Sequence, residues 1–600
     1  MPRMQDTDVS RSPSSRHTEI QRHVWRDFTG GWRPDKPLSQ LAENEIAEVL
    51  NLEYEPGGSV RKRGGFEEFT NAVTGLDNIE FLFAPRVYTT DGLKPILGQQ
   101  VWAIPKNDGE LYRAVFGNLQ EEFLSPGDGS DFVDTTYNMG PASAGAFNHF
   151  RVWPINVLTF GDKQYISCLR YGGEDNGVTT NATEDGSATG ATRPLEYDAQ
   201  NDSFTRMVVA DLEDGTTTSP RFPRCRTMVA YHDRVFAANV HSQGDFRYPS
   251  RIYWSEAGDP TDWPILNYIA VAADDGTEIT SILPMGEQIL IFKNNSVYAL
   301  VGTDEDTFAL YPLSNRLGSD GTYATAEGNG VSYFFDTGTM SIWQYDGARF
   351  TNIGESLAEH VRQNINLNAM HKAVVQVIGH QIWFSYPKGD VSVNEDDENT
   401  ETLVYDLRVQ AWTRWDFGVV PRVLQRWSDY QTDTSSDTIE GDSNPYFAIS
   451  TAAEDDHVMK GYQGDSNPDA DVVWTDNGTN YEFKFRTAWL SPDHGMERKR
   501  MRRLELLVAQ LSDSMTVDLY RDFINSAWTS FSFDALADTS PDLLEYHMQQ
   551  SSVDVTGLFN WMAVHVSSTS ANEEQVNSIG VRYSFRPSPR GDVGGSAYHE

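Results

Sequence analysis

Ile289-Leu-Ile-Phe-Lys-Asn-Asn-Ser-Val-Tyr-Ala-Leu-Val301 decides the fold. Four apolar residues run into a polar turn, and a second apolar run then opens on an aliphatic and an aromatic side chain. Each run is too short for a helix and ends on turn-forming residues, which is the signature of paired strands. The first run recurs along the chain as Val101-Trp-Ala-Ile104, Tyr165-Ile-Ser-Cys168, Val235-Phe-Ala-Ala238, Val331-Ser-Tyr-Phe334, Ile382-Trp-Phe-Ser385 and Phe447-Ala-Ile-Ser450. The second recurs behind it as Leu111-Tyr112, Leu195-Glu-Tyr197, Ile252-Tyr-Trp254, Ile342-Trp343, Val404-Tyr405 and Val458-Met459. A further aromatic closes several units, at Phe204, Trp263, Phe308, Phe350 and the pair Trp412 and Trp415.

A period of about 40–55 residues with three or four strands per unit is the content of a propeller blade. An array of two-layer sandwiches would show no fixed order of strand types. The reading is therefore a mainly β chain, with a β-propeller of about six or seven irregular blades over residues 76–480. Two acidic, glycine- and asparagine-rich insertions, 171–192 and 388–401, interrupt it and are expected as surface loops. Leu357, Val361 and Ile365, four apart, predict a helix between units.

The flanks differ in texture. Residues 1–24 are polar and aperiodic and read as a flexible arm. Residues 25–75 form an N-terminal platform segment, with a strand over Val24–Phe28 and a short helix over Ser39–Asn51, where Leu41, Ile46, Val49 and Leu50 stand at roughly helical spacing. Residues 481–600 read as a β-sandwich-like platform domain, from the alternation of Tyr481–Leu490 and the strands after residue 498. These flanks carry clustered cations, as Arg61, Lys62 and Arg63 and as Arg498, Lys499, Arg500, Arg502 and Arg503. These eight are the candidate assembly interface, since a chain with 87 acidic against 47 basic residues, net −40, must offset self-repulsion to associate.

Two cysteines in 600 residues contribute no disulfide framework. The first residues carry no apolar signal segment, and no run is long enough to span a bilayer, so synthesis in a cytosol is expected. Phosphate loops, zinc-binding helices and nucleophile elbows are all missing from the sequence, and neither an enzyme nor a cofactor is expected. Asp465, Asn467, Asp469, Asp471 and Asp476 fall at the oxygen spacing of a calcium loop. However, Ala470 replaces the turn glycine and Asp476 is shorter than the usual Glu, so a solvated acidic loop is expected.

Phe28-Thr-Gly-Gly31, Leu41-Ala-Glu-Asn-Glu45, Asn51-Leu-Glu-Tyr-Glu-Pro-Gly-Gly58 and Arg61-Lys-Arg-Gly64 resemble the opening of the tail nozzle proteins of short-tailed phages, also called tail tubular protein B or packaged-DNA stabilisation proteins. The blocks at 289–302, 331–347 and 404–415 resemble their propeller portion. The resemblance implies a virion protein assembled in the host cytoplasm into a homo-oligomeric ring, commonly a hexamer. Its partners would be a portal-adaptor ring, tail fibre or needle proteins, and double-stranded DNA passing through the lumen without sequence-specific binding. The contrasting reading is a receptor- or glycan-binding propeller of a tail or cell surface.

Overall fold

The computed structural model describes residues 20–68, 79–83, 87–88, 95–96, 100–105, 110–115, 133–138, 150–173, 194–198, 203–213, 221–242, 247–389, 399–417, 424–432, 439–450, 456–461, 473–491, 498–509, 514–533 and 548–585. The chain is mainly β and divides into two compact bodies. The first comprises residues 1–63, 405–415 and 479–600, and the second residues 64–404 and 416–478.

In the second body, antiparallel sheets follow one another along the chain. The first is Ile79–Phe83, Gln100–Pro105, Glu110–Val115 and Val133–Asn138, and the second is Phe150–Phe160, Lys163–Gly173, Leu195–Asp198 and Ser203–Arg206. The third is Arg224–Tyr231, Arg234–His241, Arg247–Trp254 and Tyr268–Ala270, and the fourth is Ile279–Met285, Gln288–Lys293, Val297–Val301 and Ala309–Ser314. The fifth is Thr325–Gly328, Val331–Asp336, Ser341–Tyr345 and Phe350–Asn352. Of the sixth, this body holds Val374–Ile378, Gln381–Pro387 and most of Asn399–Asp406. The seventh is Leu424–Thr432, Ile439–Ser450 and Asp456–Gly461, and its fourth strand is Phe66–Glu68, from the other end of the body's sequence.

Each of the seven repeated apolar runs lies on the second strand of a sheet, and each aliphatic-aromatic run, like Val458-Met459, on the third. The second strands Arg234–His241, Gln288–Lys293, Val331–Asp336 and Gln381–Pro387 are buried at consecutive residues and so covered on both faces, which is why they read as continuous apolar runs. On Gln288–Lys293, Ile289 and Ile291 pack with Phe236, Ile252 and Trp254 of the third sheet. Leu290 and Phe292, one residue out of phase, pack with Phe334 and Tyr345 of the fifth. First strands vary more, from the apolar Ile79-Glu-Phe-Leu-Phe83 and Val374-Val-Gln-Val-Ile378 to the polar Thr325-Ala-Glu-Gly328. They meet one another in sequence. Asn156 Nδ2 donates to the Arg226 carbonyl at 2.5 Å, Ile282 N to Thr227 Oγ1 at 3.3 Å, and the Ser281 and Thr325 hydroxyls lie 2.8 Å apart. Tyr323, between the fourth and fifth sheets, reaches further. Its hydroxyl donates to Ile155 O at 2.7 Å and accepts from Ile155 N at 2.9 Å, and its ring lies 5.8 Å from that of Phe81 in the first sheet.

Five of the first hairpins turn on two residues, set by the pairs Phe160 with Lys163, Tyr231 with Arg234, Met285 with Gln288, Gly328 with Val331, and Ile378 with Gln381. Positive φ falls on Gly161, Gly286 and Gly379 alone in three of them, and on both His232 and Asp233 and both Asn329 and Gly330 in the others. These are the two turn classes whose twist matches a strand pair. The expected helix between units is present as Ala358–Asn364, flanked by 3-10 turns, with Leu357, Val361 and Ile365 buried.

The first body has two six-stranded sheets. One runs Leu52–Tyr54, Val60–Lys62, Gln575–Phe585, Lys499–Ala509, Met548–Phe559, with Gln21–Trp25 also paired to Gln575–Phe585. The other runs Gly31–Trp32, Glu45–Leu50, Phe483–Thr487, Met562–Ser568, Met515–Arg521, Thr529–Phe533. Two expectations are corrected here. Gln21–Val24, assigned to the arm, are strand residues, and the strand ends at Trp25, three residues before Phe28. Ser39–Asn51 is not a helix. Glu45–Leu50 is a strand, and a register shift between Ile46 and Glu48 sets buried Ile46 and Val49 three apart, which imitates helical spacing.

Candidate functional site: the cations of the first body

Arg61, Lys62 and Arg63 are buried, and so do not face a neighbouring copy as expected. Val60–Lys62 is buried at all three residues, so consecutive side chains on both faces of its sheet are covered. Arg61 Nε donates to Glu53 Oε2 at 3.1 Å, and its Nη1 lies 3.0 Å from Glu55. Burial opposes its charge, but Glu53 and Glu55 outweigh that and hold the guanidinium more firmly protonated than usual. Lys62 Nζ donates to the Ser570 carbonyl and sits 4.0 Å over the Tyr481 ring. Arg63 Nε donates to Asn51 Oδ1 at 3.0 Å, with its guanidinium 3.9 Å over the same ring.

The second cluster divides by strand geometry. Lys499 and Met501 face the core, and Lys499 Nζ, fully buried, donates to Ser491 Oγ at 3.0 Å. Arg498, Arg500 and Arg502 are exposed. A register shift between Met501 and Arg503 reverses the alternation, so that Leu504, Leu506 and Val508 become the core residues. This bulge turns the doublet Arg502-Arg503 toward one face. Arg503 then aligns across the sheet with Arg582 and Asp554, and Arg582 with Arg22. Arg503 Nε reaches Asp554 at 2.9 Å, while Arg22 and Arg582 both pair with buried Glu505. Arg502 Nε donates to Ser584 Oγ at 3.2 Å. Arg498 and Arg500 form no ion pair among the described residues. Sequence reasoning found the strand and missed Arg22 and Arg582, which are isolated in sequence and join the face only through strand pairing.

Of the calcium-like segment, Asp465, Asn467, Asp469 and Asp471 lie outside the described residues. Asp476 is buried and bridges Phe66. The bulk of insertions 171–192 and 388–401 is also outside, but their attachments are described. Both join second to third strands, in the second and sixth sheets respectively, so each leaves its sheet at the end opposite the two-residue turn. The base of the later one is held by Glu401, which accepts from Lys388 Nζ at 2.8 Å and Tyr386 OH at 2.7 Å and pairs with His360 of the helix.

No protein-family model matches this chain, and no curated protein does. Among solved structures, the extracellular domain of a one-component system from B. thetaiotaomicron is 11% identical over 77% of this chain and 56% of that one, with a TM-score of 0.37. The chain thus spans little more than half of that domain's length. The dihydro-heme d1 dehydrogenase NirN is 12% identical over 72% of this chain and 77% of its own, at a TM-score of 0.32. A luciferin-regenerating enzyme is 7% identical over 51% and 88%, at 0.27.

Proposed function

We propose that this chain is a structural subunit of a short phage tail, a nozzle whose seven successive sheets form a β-propeller and whose two-sheet first body is the ring-forming platform. The pairing of Phe66–Glu68 with Asp456–Gly461 carries the reading: strands from the two chain ends of this body share one sheet, which is the device by which a propeller joins its last unit to its first. The Tyr323 bonds support it, since in a circle of seven the fourth-to-fifth linker stands across from the first two sheets. They also favour a DNA path between copies over one through a single subunit, because a side chain crosses the array. A strongly acidic wall repels phosphate and lets DNA pass without capture. The sequence blocks resembling nozzle proteins supply the rest. Electron microscopy of the purified full chain, alone and with a portal-adaptor ring, tests the reading. Closed rings of about six copies that dock coaxially are expected, and a monodisperse monomer that joins no tail particle overturns it.

One observation favours a glycan-binding reading. A cleft lined by Tyr231, His232, Glu287 and Thr303, at the turns of the third and fourth sheets, combines an aromatic ring with polar groups. Saturable glycan binding by the monomer, lost on Tyr231→Ala, would favour that function over the conduit.

A further inference from the structure

The connection from Met515–Arg521 to Thr529–Phe533 is built against backbone preference. Asp522 and Phe523 have φ of 51° and 60°, and Ile524 N donates to Arg521 O at 3.0 Å, which makes a two-residue turn that Asn-Gly would ordinarily occupy. An aromatic side chain in the left-handed region is an outlier, held only where its surroundings demand it. The hold here is the corner after Phe559. Asp522 N donates to Trp561 O at 2.9 Å, and Asp522 Oδ1 accepts from Asn560 N at 2.8 Å and Trp561 N at 3.1 Å. The result presents Phe523, 39% exposed, and Ile524, 49% exposed, on a base formed by Trp489 and Trp561 at 4.7 and 5.4 Å from the Phe523 ring.

Cations flank this knob. The Arg521 guanidinium stacks 5.0 Å over Trp528 and donates to Leu558 O at 3.4 Å. Trp528 in turn lies on Gly557, where a Cβ would fall 1.5 Å from the indole. Leu558 is the register partner of Arg500, which is exposed with Arg498 and Arg502. Aromatic side chains beside arginines are the composition of energetic centres of protein interfaces.

We infer that Phe523 and Ile524, with Arg500 and Arg521 beside them, are the docking knob by which one copy of this chain seats on an acidic surface of the next; the inference rests on the ring reading above. Charge selects the occupant. The chain carries net −40, so a second copy brings acidic groups in excess to meet these arginines. Two patches placed face to face would instead bring their arginines together. The contact is therefore head-to-tail, between unlike surfaces, the arrangement that closes rings.

The test uses full-length protein in sedimentation velocity and mass photometry, with thermal melting recorded for every variant. Phe523→Gly removes the knob and places a residue suited to the left-handed turn, so it keeps the fold. Ile524→Asp and Arg500→Glu probe the apolar tip and the flank separately. Each is expected to weaken ring association by about tenfold or more at unchanged melting temperature. If the wild type forms rings and the variants associate equally well, the docking inference fails and the ring reading stands. Rings that persist in the variants while binding to the adaptor ring is lost assign the knob to another protein and overturn it too. A wild type that stays monomeric at every concentration removes the ring reading and the knob's role together.

Discussion

Charged side chains in this protein serve two opposite purposes, and burial separates them. Arg63 has no solvent exposure, and its contacts with Asn51 and Tyr481 stay within the first body. Arg63→Ala leaves a cavity and removes the hydrogen bond to Asn51 Oδ1, a combined cost of about 3 kcal/mol. Arg500→Ala removes an exposed cation with no ion pair among the described residues and should cost under about 0.5 kcal/mol. Urea denaturation of the two variants checks the contrast, and equal losses would contradict the division. Glu401 gives a pH signature. Burial disfavours its charged form, but the hydrogen bond and charge of His360, with Lys388 and Tyr386, outweigh that and hold its carboxyl at about 2 against an ordinary 4.5. A depressed carboxylate contributes stability above its unfolded pKa and loses it as pH falls toward the folded value. The contribution is about 3 kcal/mol, complete above about pH 5 and gone near pH 2. Glu401→Gln should thus be destabilised at neutral pH and converge with the wild type in acid. A constant offset across that range would refute the linkage.

At the scale of elements, the tight turns and the bulges do the positioning. His232 and Asp233 both adopt positive φ without being glycine. Asp233→Gly relieves one such residue and should raise stability by about 0.5–1 kcal/mol, read as a higher urea midpoint at unchanged slope. A loss would show that the Asp233 side chain makes a contact worth more than the strain. The bulges explain which element readings succeeded. Phe483–Thr487 alternates cleanly and its strand was legible. The Ile46–Glu48 shift broke the period in Glu45–Leu50, and a broken period of two looks like one of 3.6. The doublet Arg502-Arg503 marks the other bulge, but only strand register shows that both arginines leave the core face.

For the whole molecule, the first body is assembled from distant sequence. Its two sheets take five strands from residues before 63 and seven from residues after 479. Trp415 Nε1 donates to Leu52 O at 2.9 Å, and Tyr54 OH to Trp412 O at 2.9 Å, which draws 405–415 into the same core. The C-terminal fragment 479–600 alone would expose the faces and edges those five strands cover, so it should not fold. Circular dichroism and proton NMR of the fragment check this, and dispersed, cooperative spectra would contradict it. In the second body, Phe66 is buried against Phe417 and stands three residues after Arg63, where the chain first leaves the first body. Phe66→Ala should cost about 3–5 kcal/mol and loosen the seventh sheet before the others, seen as early hydrogen exchange in Asp456–Gly461.

The sequence by itself determined the mainly β class, the repeat, and the second and third strands of every sheet in it. Strands such as Gln288–Lys293 and Gln381–Pro387 are buried at consecutive residues, and such burial demands an unmistakable local composition. Only the tertiary structure decided the place of the first strand in each sheet, the entry of Phe66–Glu68 into the last sheet, and the fate of the cations. Arg61, Lys62 and Arg63 and Arg498, Arg500 and Arg502 are equally basic in sequence. Whether such a side chain is sealed under a tyrosine or left at the surface depends on which strands pair beside it, and that pairing joins residues hundreds of positions apart.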